Sequence, residues 1–247
     1  MAENKTKQSA PEAMESLNKK EAFIVKYKNA IIAGVVVLVA VIAGGMIFKS
    51  CQNDKNEKAG TAIAAAQGQL VNTLGSEMYM PDSLLNVQYE LMLSGNDSAA
   101  VVGFKKIADE YGSTKTGNLA NLYAGLCYAS MNKWKEAAEY LEKFDGCDDQ
   151  MVSPAAKAAL GNAYANLNQL DKAVETLKKA ADEADNVTVS PQALIQAGEI
   201  LESQNKAAEA LELYKKAQTY IDRLPANAQQ QMNRLNIDAY IERASQK

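Results

Sequence analysis

Two short acidic clusters are the segments of this chain whose residue types and spacing could support chemistry. They are DGCDDQ at 145–150 and ADEADN at 181–186. Clustered carboxylates suit calcium, which takes several oxygen ligands, but a calcium loop also needs ligands at alternate positions and a closing glutamate. Neither cluster has that pattern. We therefore predict that both clusters are solvated loops and that the chain binds no metal.

Histidine and cysteine usage limits the catalytic chemistry that remains. The 247 residues include no histidine, which removes the commonest general base and the Ser–His and Cys–His nucleophile pairs. The cysteines Cys51, Cys127 and Cys147 are odd in number and form no C-x-x-C motif. Cys127 could pair with Cys147 outside the cytoplasm, or it could be a buried thiol on an apolar helix face. We predict a protein that is not an enzyme and that has no cofactor.

The distribution of charge argues against nucleic acid as a partner. Beyond residue 49 the chain has 19 Lys and Arg against 26 Asp and Glu, a net charge of −7. Its lysine pairs are scattered along the chain and form no contiguous basic patch. Because phosphate backbones are bound by clustered basic side chains, proteins are the expected partners instead.

Residues 30–48, AIIAGVVVLVAVIAGGMIF, form a run of 19 residues without a charge. A helix of this length spans roughly 28 Å, close to the thickness of the hydrocarbon core of a bilayer. We therefore predict a transmembrane helix. A cleaved signal peptide is the alternative, although the preceding residues 1–28 are long for one. Lysines are slightly more frequent before the run than after it, which predicts a cytoplasmic N-terminus and an external C-terminal domain.

An internal repeat occupies much of the remaining chain. The segment GLCYASMNKWKEAAEYLEKF begins at Gly125 and aligns with segments that begin at Gly161 and Gly198. In each copy an asparagine follows the glycine by seven residues, an alanine by twelve, and a leucine or tyrosine by sixteen. Strand signals are absent beyond residue 50. A fixed period of 36 to 37 residues is typical of stacked helical hairpins, here turning at the asparagine.

Steric reasoning explains the small residues of the repeat. Two helices approach closely only where a side chain is nearly absent, so glycine on the first helix and alanine on the second permit a close crossing. A tyrosine or leucine then fills the space beside them. The residues predicted to pack in this way are Gly125, Tyr128, Ala137, Leu141, Gly161, Tyr164, Ala173, Leu177, Gly198, Ala210, Tyr214 and Ala217.

The ends of the repeat region are expected to be irregular. Gln88 stands where an earlier copy would have its glycine, so helices at about 58–78 and 82–93 are predicted to form an irregular cap. A closing helix is expected to cover the last repeat. The predicted organisation is a cytoplasmic tail at 1–28, a transmembrane helix at 29–49, a connecting helix or linker at 50–80, repeats at 81–226 and a capping helix at 227–247.

A solenoid of helical hairpins presents its first helices on one concave face, where proteins bind. This predicted face changes from apolar to polar and acidic along the chain, and it lacks the basic residues that would hold a peptide carboxylate. An alternative is that its leucines only pack against the preceding unit. The predicted protein-binding residues are Leu119, Leu122, Leu126, Asn162, Asn166, Ile195, Glu199 and Glu202, extended by Tyr89 and Met92.

The repeated Gly, Tyr, Ala, Leu and Ala positions resemble the tetratricopeptide repeat. That resemblance implies an all-α, tetratricopeptide-like right-handed helical-hairpin solenoid, here preceded by a single transmembrane helix. The whole layout resembles the YfgM-type family of ancillary subunits of the bacterial Sec translocon. More closely, it is similar to a group of bacterial inner-membrane tetratricopeptide proteins, through FKKIADEYGSTKTGNLANLYAGLCY (Phe104–Tyr128) and IDAYIERA (Ile237–Ala244).

These family resemblances imply a location and a role. The location is the bacterial inner membrane, with the C-terminal domain in the periplasm. The role is a scaffold or chaperone-like adaptor that contacts translocon subunits, periplasmic chaperones or client chains. The alternative is a scaffold for another envelope-assembly complex, because a fold alone does not determine a function.

Overall fold

The computed structural model describes residues 51–68, 81–96, 101–146, 149–225 and 236–246. The chain divides into two compact units, Met1–Asp54 and Lys55–Lys247. Within the described ranges, no helix combines the length and the apolar character that crossing a membrane requires. The predicted tail and transmembrane helix, and residues 227–235 of the predicted capping segment, lie outside these ranges.

The described residues are mostly helical. Residues 51–68 form α1, and the helices that follow are α2 Asp82–Ser94, α3 Phe104–Tyr111, α4 Lys115–Ser130, α5 Trp134–Lys143, α6 Val152–Asn166, α7 Leu170–Ala184, α8 Ser190–Ser203, α9 Ala207–Ile221 and α10 Ile237–Ser245. The three repeat copies form the hairpins α4–α5, α6–α7 and α8–α9, and each hairpin packs against the next. This confirms the predicted all-α arrangement of stacked helical hairpins.

A short strand pair separates α2 from α3 and was not expected from the sequence. Strand β1 (Gly95–Asn96) pairs in antiparallel register with β2 (Val101–Val102). Gly95 has a φ of 95°, a backbone conformation that residues with a Cβ atom rarely adopt. A pair of two-residue strands leaves no alternating pattern in the sequence, which is why the periodicity did not indicate it.

Each repeat hairpin turns at an asparagine in the left-handed conformation. Asn132, Asn168 and Asn205 have φ values of 57°, 59° and 61°. Asparagine adopts this conformation more readily than most residues. The residue after each asparagine donates its backbone N–H to a carbonyl five residues earlier, as Gln169 does to Tyr164 at 2.9 Å. This bond ends the first helix in a Schellman motif, so the asparagine sets the same turn in all three copies.

The small residues of the repeat lie where the two helices of each hairpin cross. A Cβ added at Gly161 would lie 2.7 Å from Cγ of Leu177, and one at Gly198 would lie 2.3 Å from Cε1 of Tyr214. Both distances are shorter than real carbon contacts, so a glycine is needed for these helices to cross as closely as they do. All the residues that the sequence assigns to repeat packing are buried.

The two ends of the described stack are covered by helices outside the three repeats. Near the N-terminal end, Asn56 of α1 accepts a hydrogen bond from the backbone N–H of Thr116 at 2.8 Å. At the other end, α10 packs against α9 and buries Ile237 and Ala244. The ring of Tyr240 in α10 also lies 5.1 Å from the ring of Tyr214.

Candidate protein-binding surface

The exposed side of α4, α6 and α8 is called the first-helix face below. Of the residues predicted there, Leu126, Asn166 and Glu199 are exposed. Leu119, Asn162 and Glu202 are partly buried and line the same side of their helices. The face therefore carries leucine on α4, asparagine on α6 and glutamate on α8, which is the expected change from apolar to acidic.

Two of the predicted contact residues lie in the core instead. Leu122 packs with Leu141 and Ala156. Ile195 belongs to the core cluster of the last repeat, and the partly buried Ala158 of α6 packs against that cluster. Leu122 and Ile195 are both about 6% exposed. They stand three residues before the repeat glycine, at a position that the next or the preceding hairpin covers. Their side chains therefore stabilise the stack and are not available to a partner.

The predicted extension of the face onto α2 is also corrected by the structure. Tyr89 and Met92 are buried among the core residues of α3 and α4. The exposed apolar side chains of α2 are Leu84 and Val87, which are 53% and 59% exposed. Gln88 stands where the later copies have glycine, and the side of α2 that faces outward differs from the predicted one.

Three exposed residues on the first-helix face were missed from the sequence. Ala155 and Gln192 occupy the repeat position of Leu119, and Ser203 occupies the repeat position of Asn166. The repeat period itself could have identified them, since Ala155 and Ser203 lie one period from Leu119 and Asn166, and Gln192 lies two periods from Leu119. Ala155 lies on α6, and Gln192 and Ser203 lie on α8.

Tyrosine–carboxylate hydrogen bonds join helices both between repeats and within the last repeat. Tyr164 donates its hydroxyl to Glu142, and Lys172 contacts the same carboxylate at 3.2 Å. The hydroxyl bond and then the lysine lower the pKa of Glu142, which therefore remains ionised. In the last repeat, Tyr214 donates to Glu202 at 2.8 Å. Burial and then this bond raise the pKa of Tyr214.

The acidic cluster at 145–150 has a structural role, whereas the cluster at 181–186 is only partly the predicted loop, because residues 181–184 form the end of α7. Asp149 accepts hydrogen bonds from the backbone N–H groups of Met151 at 2.8 Å and Ser153 at 3.1 Å, at the start of α6. The hydroxyl of Ser153, followed by these N–H groups, lowers the pKa of the Asp149 carboxyl. Asp145 exchanges backbone hydrogen bonds with the side chain of Asn118. Among the described residues, no group of three or more His, Cys, Asp or Glu side chains could hold a metal ion.

An open cavity of about 430 Å³ lies between the end of α5 and the start of α6. Its polar lining includes Lys157 and Glu183, which form an ion pair with each other. Cys127 lies elsewhere, in the core, and burial raises the pKa of its thiol to about 12. Cys127 is a free cysteine here, which agrees with its interpretation as a buried thiol, and Cys147 lies outside the described residues. Neither feature brings together an activated nucleophile and a base.

Comparison with known proteins gives a consistent assignment of the fold. A family model described as a tetratricopeptide repeat-like domain matches residues 21–239. The chain is similar in structure to the nearly identical TPR-like repeats of a candidate kinesin light chain from Podosopora anserina, with a TM-score of 0.55 and 13% identity, covering 76% of this chain and 87% of that one. A single-substitution variant of that protein gives a TM-score of 0.56, 13% identity, and 76% and 86% coverage. No curated protein sequence matches the chain. At this identity the structural likeness concerns the fold alone.

Proposed function

This chain belongs to the tetratricopeptide repeat-like domain family, and from that premise we propose that it is a membrane-anchored protein-interaction scaffold or chaperone-like adaptor. Its partners would be translocon subunits, periplasmic chaperones or client chains. The observation that carries the proposal is the first-helix face, on which Leu126 and Asn166 are exposed in two successive repeats, while Tyr240 contacts Glu199 in the third. Stacked hairpins use such extended faces to bind protein segments.

The composition of the face supports a protein ligand. Leu126 supplies an exposed apolar contact on α4, while the α6 side chain of Asn166 and its neighbour Asn162 offer hydrogen-bonding groups. An extended or helical segment combines apolar side chains with backbone polar groups, so both kinds of contact would be used. The role we propose is binding without catalysis, which is supported by the absence of histidine from the sequence.

The proposed location is the bacterial inner membrane, with one transmembrane helix at 30–48 and the repeats in the periplasm. The uncharged run in the sequence supports the anchor, and the lysine distribution supports the orientation. A reporter fused after Lys247 tests it. We expect the signal of a periplasmic reporter, such as one that is active only after oxidation, and activity of a cytoplasmic reporter would contradict this orientation.

Site-specific photocrosslinking in native membranes tests the partner proposal. A photoreactive residue would replace Leu126 or Asn166 on the first-helix face, and Lys178 on α7 or Lys105 on α3 as matched exposed controls. We expect Leu126 and Asn166 to crosslink the same proteins, identified by mass spectrometry as translocon subunits, chaperones or clients. The two control positions should not recover them.

Two results would change the proposal. Recovery of cell-wall or outer-envelope assembly proteins from the first-helix face would favour the alternative scaffold. Equal crosslinking from the face and from the control positions, or no crosslinks from either, would contradict a binding role for the face.

A further inference from the structure

The last repeat holds α10 through a pair of glutamates. Glu199 accepts a hydrogen bond from the hydroxyl of Tyr240 at 2.8 Å. Glu202, one turn later, accepts hydrogen bonds from Nε of Arg243 at 3.1 and 3.2 Å. Both pairs are 41 residues apart, so α10 runs parallel to α8 and its Tyr-x-x-Arg spacing matches the Glu-x-x-Glu spacing of α8. We call Glu199, Glu202 and Tyr214 the terminal seat.

The chemistry of the terminal seat selects for a guanidinium. The side chain of Glu202 is only 7% exposed, and it also accepts the hydroxyl hydrogen of Tyr214. The guanidinium of Arg243 faces this carboxylate and lies 4.8 Å above the ring of its own neighbour Tyr240. A helix without a cation would cover this carboxylate and leave its charge unpaired, which is costly, so an occupant of the seat has to bring a basic side chain such as that of Arg243.

The seat is specific to the last repeat. At the positions of Glu199 and Glu202 the first repeat has Leu126 and Ala129, and the second has Asn162 and Ala165. Those internal positions are followed by another hairpin of the stack, whereas the terminal seat is followed by α10. The acidic pair therefore distinguishes the place where the stack receives a separate helix.

The docked helix has the properties of a bound peptide. It has nine residues, which is shorter than isolated helices that are stable in water, so its helical state depends on docking. Its buried side chains are Ile237 and Ala244, Tyr240 and Ile241 are partly buried against the last repeat, and its other contacts are polar and lie at a partly exposed edge. Segments with few buried apolar contacts open locally without unfolding the whole domain.

We propose that the terminal seat is a helix-binding site that α10 occupies in competition with partner helices carrying a tyrosine and an arginine three residues apart. A tethered helix has a high effective concentration, so α10 excludes weak ligands and admits partners that match both glutamates. The inference rests on the proposed function in that it concerns protein partners. Its test can nevertheless fail while the crosslinks from Leu126 persist.

Peptide binding to the full-length chain tests the proposal. The probe is a fluorescent peptide of residues 236–247, and the control is the same peptide with Arg243→Glu. The receptors are the unchanged chain and the Tyr240→Ala/Arg243→Gln variant, in which α10 is weakened. We expect the variant to bind the unchanged peptide about tenfold or more tightly than the unchanged chain does, because its seat is open more often. When Glu202→Gln is added to this variant, it should no longer bind the unchanged peptide more tightly than the Arg243→Glu peptide.

Two outcomes would overturn the proposal. One is no peptide binding by the double variant while its repeats still give a cooperative melting transition. The other is equal binding by both chains, which would place the peptide elsewhere. If the variant fails to fold, hydrogen exchange on the unchanged chain tests whether α10 opens independently of the repeats. Faster exchange of α10 amides than of α9 amides supports independent opening, and equal exchange contradicts it.

Discussion

The crossing within an internal hairpin and the contact of α10 with the last hairpin stabilise the stack by different means. In the crossing of α6 with α7, Gly161 meets the fully buried Leu177. At the C-terminal contact, Glu202 meets Arg243, whose side chain is 49% exposed. The first contact depends on shape and on the removal of apolar surface from water, whereas the second depends on charge and hydrogen-bond geometry.

This difference teaches which contacts can be exchanged. An apolar crossing that requires glycine is specific to one neighbour and does not open without exposing the core. A charged contact is specific through a few groups and can be reproduced by any helix that supplies them. The internal hairpins are therefore suited to hold a fixed surface, and the terminal seat is suited to reversible binding.

The largest effect is expected from Leu177→Ala, at an internal crossing. Removing this fully buried side chain opens a cavity against Gly161 and should lower the free energy of unfolding by about 2–5 kcal/mol. Leu126→Ala is the matched control, because Leu126 is 36% exposed and should cost far less. Denaturant unfolding followed by circular dichroism measures both. A similar loss for both variants would mean that the repeats are not held together by these crossings.

A smaller effect is expected when a methyl group is added at a crossing. In Gly198→Ala the new Cβ would lie 2.3 Å from the buried ring of Tyr214, and overpacking of this kind costs about 1–3 kcal/mol. Gly60→Ala in α1 places its Cβ 3.8 Å from Thr116, an ordinary contact, and should stabilise the helix by about 0.5–1 kcal/mol. Thermal melts should therefore shift in opposite directions. A higher melting temperature for Gly198→Ala would show that the crossing is looser than its geometry indicates.

The same contrast explains what the sequence can predict. Gly125, Gly161 and Gly198 are predictable because the same steric requirement recurs at a fixed interval. The binding surface is less predictable. Leu122 and Ile195 share a repeat position, but their burial depends on how far the neighbouring hairpins cover them. The orientation of α2 is not predictable from the period, because Gln88 interrupts it.

The terminal seat is the feature that sequence reasoning misses most completely. Glu199 and Glu202 are predicted to contact a partner, and the structure places α10 against them. Their 41-residue separation from Tyr240 and Arg243 departs from the repeat period, so no alignment of the copies pairs them. Only the tertiary position of α10 brings the four side chains together.

The C-terminal contact is expected to contribute less to global stability than the internal crossings. Arg243→Gln should lower the free energy of unfolding by about 1 kcal/mol, since half of the arginine is exposed and α10 can open locally. Arg223→Gln is a matched control: Arg223 also stacks on a tyrosine and pairs with a carboxylate, but its partner Asp185 is 62% exposed. We expect faster hydrogen exchange in α10 for Arg243→Gln alone. Equal hydrogen exchange of the α10 amides in both variants would mean that the Glu202–Arg243 pair has no special role in holding α10.

The smallest perturbation comes from measuring how fast Cys127 is modified, because this measurement reports the opening of the repeats without altering a contact at a crossing or at α10. Burial raises the pKa of its thiol from the ordinary 9.0 to about 12, so the group favours the folded state below pH 9 and loses this contribution as the pH rises toward 12. In a reduced Cys147→Ser chain at about pH 8, iodoacetamide should modify exposed Cys51 rapidly and Cys127 only as the repeats unfold. Adding Arg243→Gln should leave this protection unchanged, while Leu177→Ala should shorten it. Equal modification rates for the two cysteines, measured by mass spectrometry, would mean that the internal repeats open as easily as we expect α10 to open.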